Sequence, residues 1–213
     1  MIIQLRNLAR FRQAARLTVG ALALVLCLNG CRTVPRPDSG PNASRHTPDA
    51  DSFILAAIQD DTTSLQTFVL AGTSPDVRND SGSTALMGAA AWGRCQSVDY
   101  LLGVGAEVNA RNRYGQSSLM LAAKTGEREV LEALLAHGAS INAVDEDGRT
   151  ALMWAVSKNA DPRTIQFLLE HGADPRQRDR MGHSAQNQAE AQGRSNLTGL
   201  LQPTPALAAS EAR

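Results

Sequence analysis

The chain has 213 residues, and its 21 lysines and arginines balance 21 aspartates and glutamates, leaving the sequence formally neutral at pH 7. A domain that grips a nucleic-acid backbone carries a basic surplus, and this chain has none. Three cysteines do not make a disulfide framework, so a folded domain here must rest on an apolar core.

The first segment, MIIQLRNLARFRQAARLTVGALALVLCLNGC, holds Arg6, Arg10, Arg12 and Arg16, no acid, and then an apolar run from Leu17 to Leu28. That is the layout of a secretory signal. The run of 12 residues is shorter than the about 18 to 20 needed to span a membrane. It stops at Leu28-Asn29-Gly30-Cys31, which resembles the bacterial lipobox, although Asn29 is larger than the small residue usual there. The resemblance implies cleavage before Cys31 and acylation of its thiol, each buried methylene adding about 0.8 kcal/mol of membrane attachment. Ordinary cleavage near Gly30, which would release a soluble periplasmic protein, is the alternative. By the same resemblance, Arg32 in place of aspartate implies the outer membrane rather than the inner one.

Without residues 1–30 the four arginines are gone, so 17 basic residues face 21 acidic ones, a net charge of about −4. No nucleic-acid partner is expected. Cys27 leaves with the signal and Cys31 becomes a thioether, so Cys95 is the remaining free thiol. Residues 31–50, with Pro35, Pro37, Pro41 and Pro48 among Ser, Asp and Asn, read as a tether of roughly 25 Å. Residues 203–213 are expected to be disordered. One folded domain is left, over residues 51–202.

Within it two glycine columns recur: Gly72, Gly105, Gly138 and Gly172, and beside them Gly82, Gly115, Gly148 and Gly182, with steps of 33, 33 and 34 in both. A fixed period of this length marks a stack of one supersecondary unit. Thr84, Ser117, Thr150 and Ser184 stand where a hydroxyl caps a first helix. Leu86, Ala89 and Ala90, Leu119, Ala122 and Ala123, and Leu152 and Ala155 then give helical spacing with small residues. A second helix carries Val98, Leu101 and Leu102, then Leu131, Leu134 and Leu135, then Ile165, Leu168 and Leu169. It ends at the first glycine column, while the second column marks a tight turn. In SKNADPRTIQ one extra residue falls between helices, with Asp161 as cap and Pro162 at the first helical position.

Superposed, the units read STALMGAAAWGR, QSSLMLAAKTGE and RTALMWAVSKNA, followed by SVDYLLGVGAEVNA, VLEALLAHGASINA and TIQFLLEHGADPRQ. This resembles the ankyrin repeat, T-P-L-H-x-A-A near its start and L-L-x-x-G-A-x-x-N near its end. The resemblance implies an all-α solenoid of helix-turn-helix units with β-hairpin-like loops, here three full repeats between two terminal caps. The cap at residues 53–79 keeps Phe53, Leu65 and Phe68. The last cap, from Gly182, turns polar at Gln186, Asn187, Gln188 and Glu190 while keeping Leu197, Leu200 and Leu201. Met87, Met120 and Met153 replace the family's histidine, so packing must do the work of its polar network.

No constellation for catalysis is recognisable, and no cofactor or metal is expected. The three methionines recur one period apart, as do His137 and His171, which stand at helix C-termini where an imidazole can bind a carbonyl. Cys95 follows Arg94 near a helix start, a setting that lowers a thiol pKa, and so offers a redox reading. The main expectation is a non-enzymatic module, monomeric, that binds an unidentified protein on the periplasmic side of the bacterial envelope. An immunity-type inhibitor of an exported toxic enzyme is a narrower version. By the resemblance, partners meet the hairpin tips and a groove along the first helices. The tips carry Arg111, Arg113, Tyr114, Glu146, Asp147, Arg178 and Arg180, and the groove carries Trp92, Lys124, Thr125, Trp154 and Lys158.

Overall fold

A computed structural model of the chain describes residues 48–201, apart from 159. The signal segment, Cys31, His46, the tether before residue 48 and the tail at 203–213 lie outside the described residues. Ten helices are found among the described residues. They run in pairs: α1 (Pro48–Ile58) with α2 (Thr62–Leu70), α3 (Ala85–Ala91) with α4 (Cys95–Gly103), α5 (Ser118–Thr125) with α6 (Arg128–Ala136), α7 (Ala151–Ser157) with α8 (Pro162–Glu170), and α9 (Ala185–Ala191) with the short α10 (Ser195–Thr198).

Thr84, Ser117, Thr150 and Ser184 each hold extended backbone, and each hydroxyl accepts from the N–H three residues on, at 3.3–3.4 Å. Each cap satisfies one of the donors that a helix start leaves open, for about 1 kcal/mol. The first helices then stack in order, α1 on α3, α3 on α5, α5 on α7 and α7 on α9, with α4 against α2 and α6 behind them. Small side chains make that stacking close: Ala89, Ala90, Ala122, Ala123 and Ala155 are fully buried. A methyl added at Gly88 would come within 3.2 Å of both Ile54 and Ile58.

Leu86, Leu101, Leu119, Leu131, Leu134, Leu152 and Ile165 fill the space between layers with essentially no exposure. Each such side chain contributes about 1.5–3 kcal/mol. Met87, Met120 and Met153 are buried with them, so packing does stand where the family's histidine would. Asp161 caps α8 by accepting from Arg163 N–H at 2.8 Å, with Pro162 opening the helix, and the extra residue lies in the loop between Ser157 and Pro162. One boundary and one core assignment shift. The first helix starts at Pro48, inside the segment assigned to the tether, because Ala50 is buried against the stack. Leu200 is 37% exposed and no core residue, whereas Leu197 and Leu201 are buried.

Polar groups tie each unit to the next. Asn109 donates to the Gly138 carbonyl at 3.0 Å and accepts from Ser140 N–H at 2.8 Å; Asn142 does the same to Gly172 and Asp174. The guanidinium of Arg94 reaches back to the Ile58 carbonyl, and that of Arg194 to Val156 and Ala160. Asp60 takes φ 61°, where the next unit has Gly93, and its carboxylate accepts from the Ser97 N–H and hydroxyl at 2.8 Å. The His137 and His171 rings each donate from Nδ1 to the carbonyl four residues back, at 2.9 and 2.8 Å.

Candidate partner-binding groove

Every tip turn is built by one side chain. Asn79, Asn112, Asp145 and Asp179 each place Oδ1 to accept from the N–H groups two and four residues later, at 2.8–3.1 Å. The turn closes on a glycine with positive φ, and the tips then bond to one another: Arg113 N–H to the Ser81 carbonyl, Glu146 to Tyr114, Arg180 to Asp147, at 2.9–3.0 Å. Gly115 has φ 72°, and a Cβ there would sit 2.8 Å from Glu146 N, so the next tip could not close on it. Gly115→Ala is expected to cost about 1–2 kcal/mol in urea unfolding.

These turns present their middle two side chains to solvent. Arg113 and Tyr114, Glu146 and Asp147, and Arg180 and Met181 are all exposed, Tyr114 at 62% and Met181 at 79%. Arg111 and Arg178, expected among them as partner contacts, are exposed as well and also brace the base of the tips. Arg111 donates to the carbonyls of Gly115 and Val144, and Arg178 to that of Gly182 at 2.7 Å. Arg78 follows the same pattern, bonding Gly82 and Arg111. The guanidiniums of Arg78 and Arg111 thus also staple their turns to the next unit, whereas that of Arg178 bonds within its own turn.

The exposed side of the first helices forms the second wall. Trp92 ends α3 and is 61% exposed; Leu55 of α1 is 52% exposed. Lys124 in the last turn of α5, Thr125, and Lys158 at the end of α7 are exposed as well. Trp92 lies at the C-terminal end of its helix and the tip precedes the N-terminal end, so tip and tryptophan stand at opposite edges of one face, about 10 Å apart along a seven-residue helix. Toward the end of the stack a cavity is lined by both walls, with Asp179, Arg180 and Met181 from the tip and Ser157, Gln188 and Gln192 from the helices.

Trp154 differs from Trp92. It is half-buried, its indole N–H donates to Asp145 Oδ2 at 2.9 Å, and the Arg149 guanidinium and the Lys158 ammonium stand 4.3 and 6.0 Å from its ring centroid. Its first job is internal. Asp145 is 4% exposed and accepts from Asp147 N–H, Arg149 N–H, Arg149 Nε and Trp154 Nε1. The convergence of Arg149 and Trp154 on one carboxylate was not visible in the chain.

The redox reading of Cys95 meets an opposing environment. Burial pushes its thiol pKa up, and Glu129, Glu127, Asp99 and Asp60 push it further. Arg94 is turned away to the Ile58 carbonyl, and the thiol points to the Gly93 carbonyl at 3.7 Å. Cys95 is therefore expected to react with a disulfide reagent at neutral pH more slowly than free cysteine; a rate above that of free cysteine would contradict this geometry.

The family model for ankyrin repeats (3 copies) matches residues 53–145 and 89–179, which together cover more than half of the sequence. The chain belongs to the ankyrin-repeat family. Ankyrin repeats are in general protein–protein interaction modules and typically carry no enzymatic activity. No curated protein matches the sequence. Among the described residues, no helix of this ankyrin stack is long and apolar enough to cross a membrane.

Proposed function

We propose that this ankyrin protein is a non-enzymatic binding module, held to the periplasmic face of the outer membrane by acyl chains on Cys31, that grips another protein between its tips and first helices. One observation carries the binding surface: Trp92 and Tyr114, the two exposed aromatic side chains among the described residues, stand at the end of a first helix and on a tip, with Met181 on a later tip. Exposed aromatics on one face are the usual anchors of an interface. The tips are rigid because each is bonded to the next, so this face is largely set before a partner arrives. The anchor rests on the charge pattern and the Leu28–Cys31 stop alone.

The test is affinity capture from crosslinked cell envelopes with the intact protein and with a Trp92→Ala, Arg113→Ala, Tyr114→Ala variant. The same partner should be recovered with the first and lost with the second, while circular dichroism keeps the variant folded. Equal recovery with both would overturn the surface assignment. Cys31→Ser is expected to shift the protein from the membrane to the soluble fraction; retention in the membrane would contradict lipid anchoring.

A further inference from the structure

The reading of the first-helix face as the binding surface leaves the chemistry of the partner open, and the charges on that face constrain it. Resting on that reading, we propose that the groove floor recognises an extended acidic segment of the partner protein. The floor is lined by three positions of each first helix. They read Leu55, Ile58 and Gln59; Gly88, Ala91 and Trp92; Leu121, Lys124 and Thr125; Trp154, Ser157 and Lys158; Gln188, Ala191 and Gln192. Two are cations and none is an acid.

That bias runs against the chain as a whole, which without its first 30 residues is net negative at about −4. Neither lysine forms an ion pair among the described residues. Arg149, the neighbouring cation beside Trp154, is already neutralised by Asp145 at 3.2 Å and Asp147 at 2.7 Å. Acids do stand at the edge of the floor: Asp147, paired with Arg149, and Asp179, which accepts from the backbone of its own tip turn, line the same cavity as Ser157 and Gln188. Asp161 is taken up in capping α8, and the Glu127 side chain lies over Gly93, where an added Cβ would meet it at 2.4 Å. The two free cations of the floor are thus Lys124 and Lys158, on successive units.

Successive stacked helices are about 8–10 Å apart, and a segment extended as polyproline II advances about 3.1 Å per residue and returns to the same side every three residues. Carboxylates about three residues apart on an extended segment therefore meet both lysines. Trp92, two units before Trp154 and 61% exposed, gives an apolar side chain beside that acidic pair a surface to lie on. Lys158 stands 6.0 Å from the Trp154 ring centroid, which gives its ammonium a neighbour on the groove floor.

The experiment is selection of a phage-displayed library of random linear peptides on the full-length protein in mild detergent, followed by binding measurements on the enriched peptides. Enrichment of peptides with two acids about three residues apart is expected. Their affinity should fall with added salt and weaken roughly tenfold or more in a Lys124→Glu, Lys158→Glu variant. Both lysines are exposed, so the variant should unfold at the same urea concentration as the parent. Enriched peptides that are neutral or basic, yet lose binding to a Trp92→Ala variant, would overturn the acidic chemistry and leave the groove standing. Acidic peptides indifferent to both variants would overturn the groove itself. Displacement by a single-stranded oligonucleotide as readily as by the parent peptide would mean generic polyanion binding, and a selection without enrichment would also count against the proposal.

Discussion

Replacing Asp145 with alanine is expected to lower the unfolding free energy by about 2–4 kcal/mol, read as a shift of the urea midpoint at constant slope. The carboxylate is 4% exposed and is the acceptor for two backbone N–H groups, the Arg149 guanidinium and the Trp154 indole. Alanine leaves all four donors behind. Arg149 still has Asp147 and partial access to water, which keeps the loss below that of a fully buried ion pair. Asp145→Asn should be milder, about 1–3 kcal/mol, because its amide oxygen keeps the turn as Asn79 and Asn112 do in the units before it, while its NH2 faces the Arg149 and Trp154 donors that Oδ2 accepts from. Equal losses for the two variants would mean that the carboxylate's charge outweighs its role as an acceptor in the turn.

Leu119→Ala is expected to cost about 2–5 kcal/mol, the range for removing a leucine from a core that cannot collapse around the gap. Leu119 is 1% exposed in α5, the middle first helix, which packs on α3 on one side and α7 on the other. In a linear stack each unit is stabilised by its two neighbours, so a defect in the middle weakens two interfaces at once. The loss should be smaller for Leu201→Ala, although Leu201 is just as buried, because it lies in the last unit with a neighbour on one side alone. Far-ultraviolet circular dichroism during urea unfolding reads both.

The parts of the fold that depend on backbone need were legible in the chain. A cap requires a hydroxyl at one position and a left-handed turn requires glycine, and both requirements repeat every unit, so Ser117 and Gly138 announced themselves by register. The site was legible only in part, because a side chain's neighbours in space belong to other units. Arg111 looks like a free charge at a tip until the Val144 carbonyl of the next unit is seen to hold it. Cys95 has an arginine beside it in sequence but Glu129 and Glu127 beside it in space. Trp92 and Trp154 stand two units apart and one helical turn apart in register, and the first is a surface group while the second is drawn inward by Asp145. Asn109 and Asn142 were visible as part of a family pattern, whereas their bonding of both a carbonyl and an N–H in the next unit required coordinates.

The most direct test of the binding account places a photo-crosslinking side chain at single exposed positions in cells: Thr125 on the first-helix face, Tyr114 on a tip, and Gln96 on α4 of the outer layer. The account predicts one crosslinked protein species from Thr125 and Tyr114 and none from Gln96. Crosslinks from Gln96 with none from Thr125 or Tyr114 would place the working surface on the other side of the stack and contradict it.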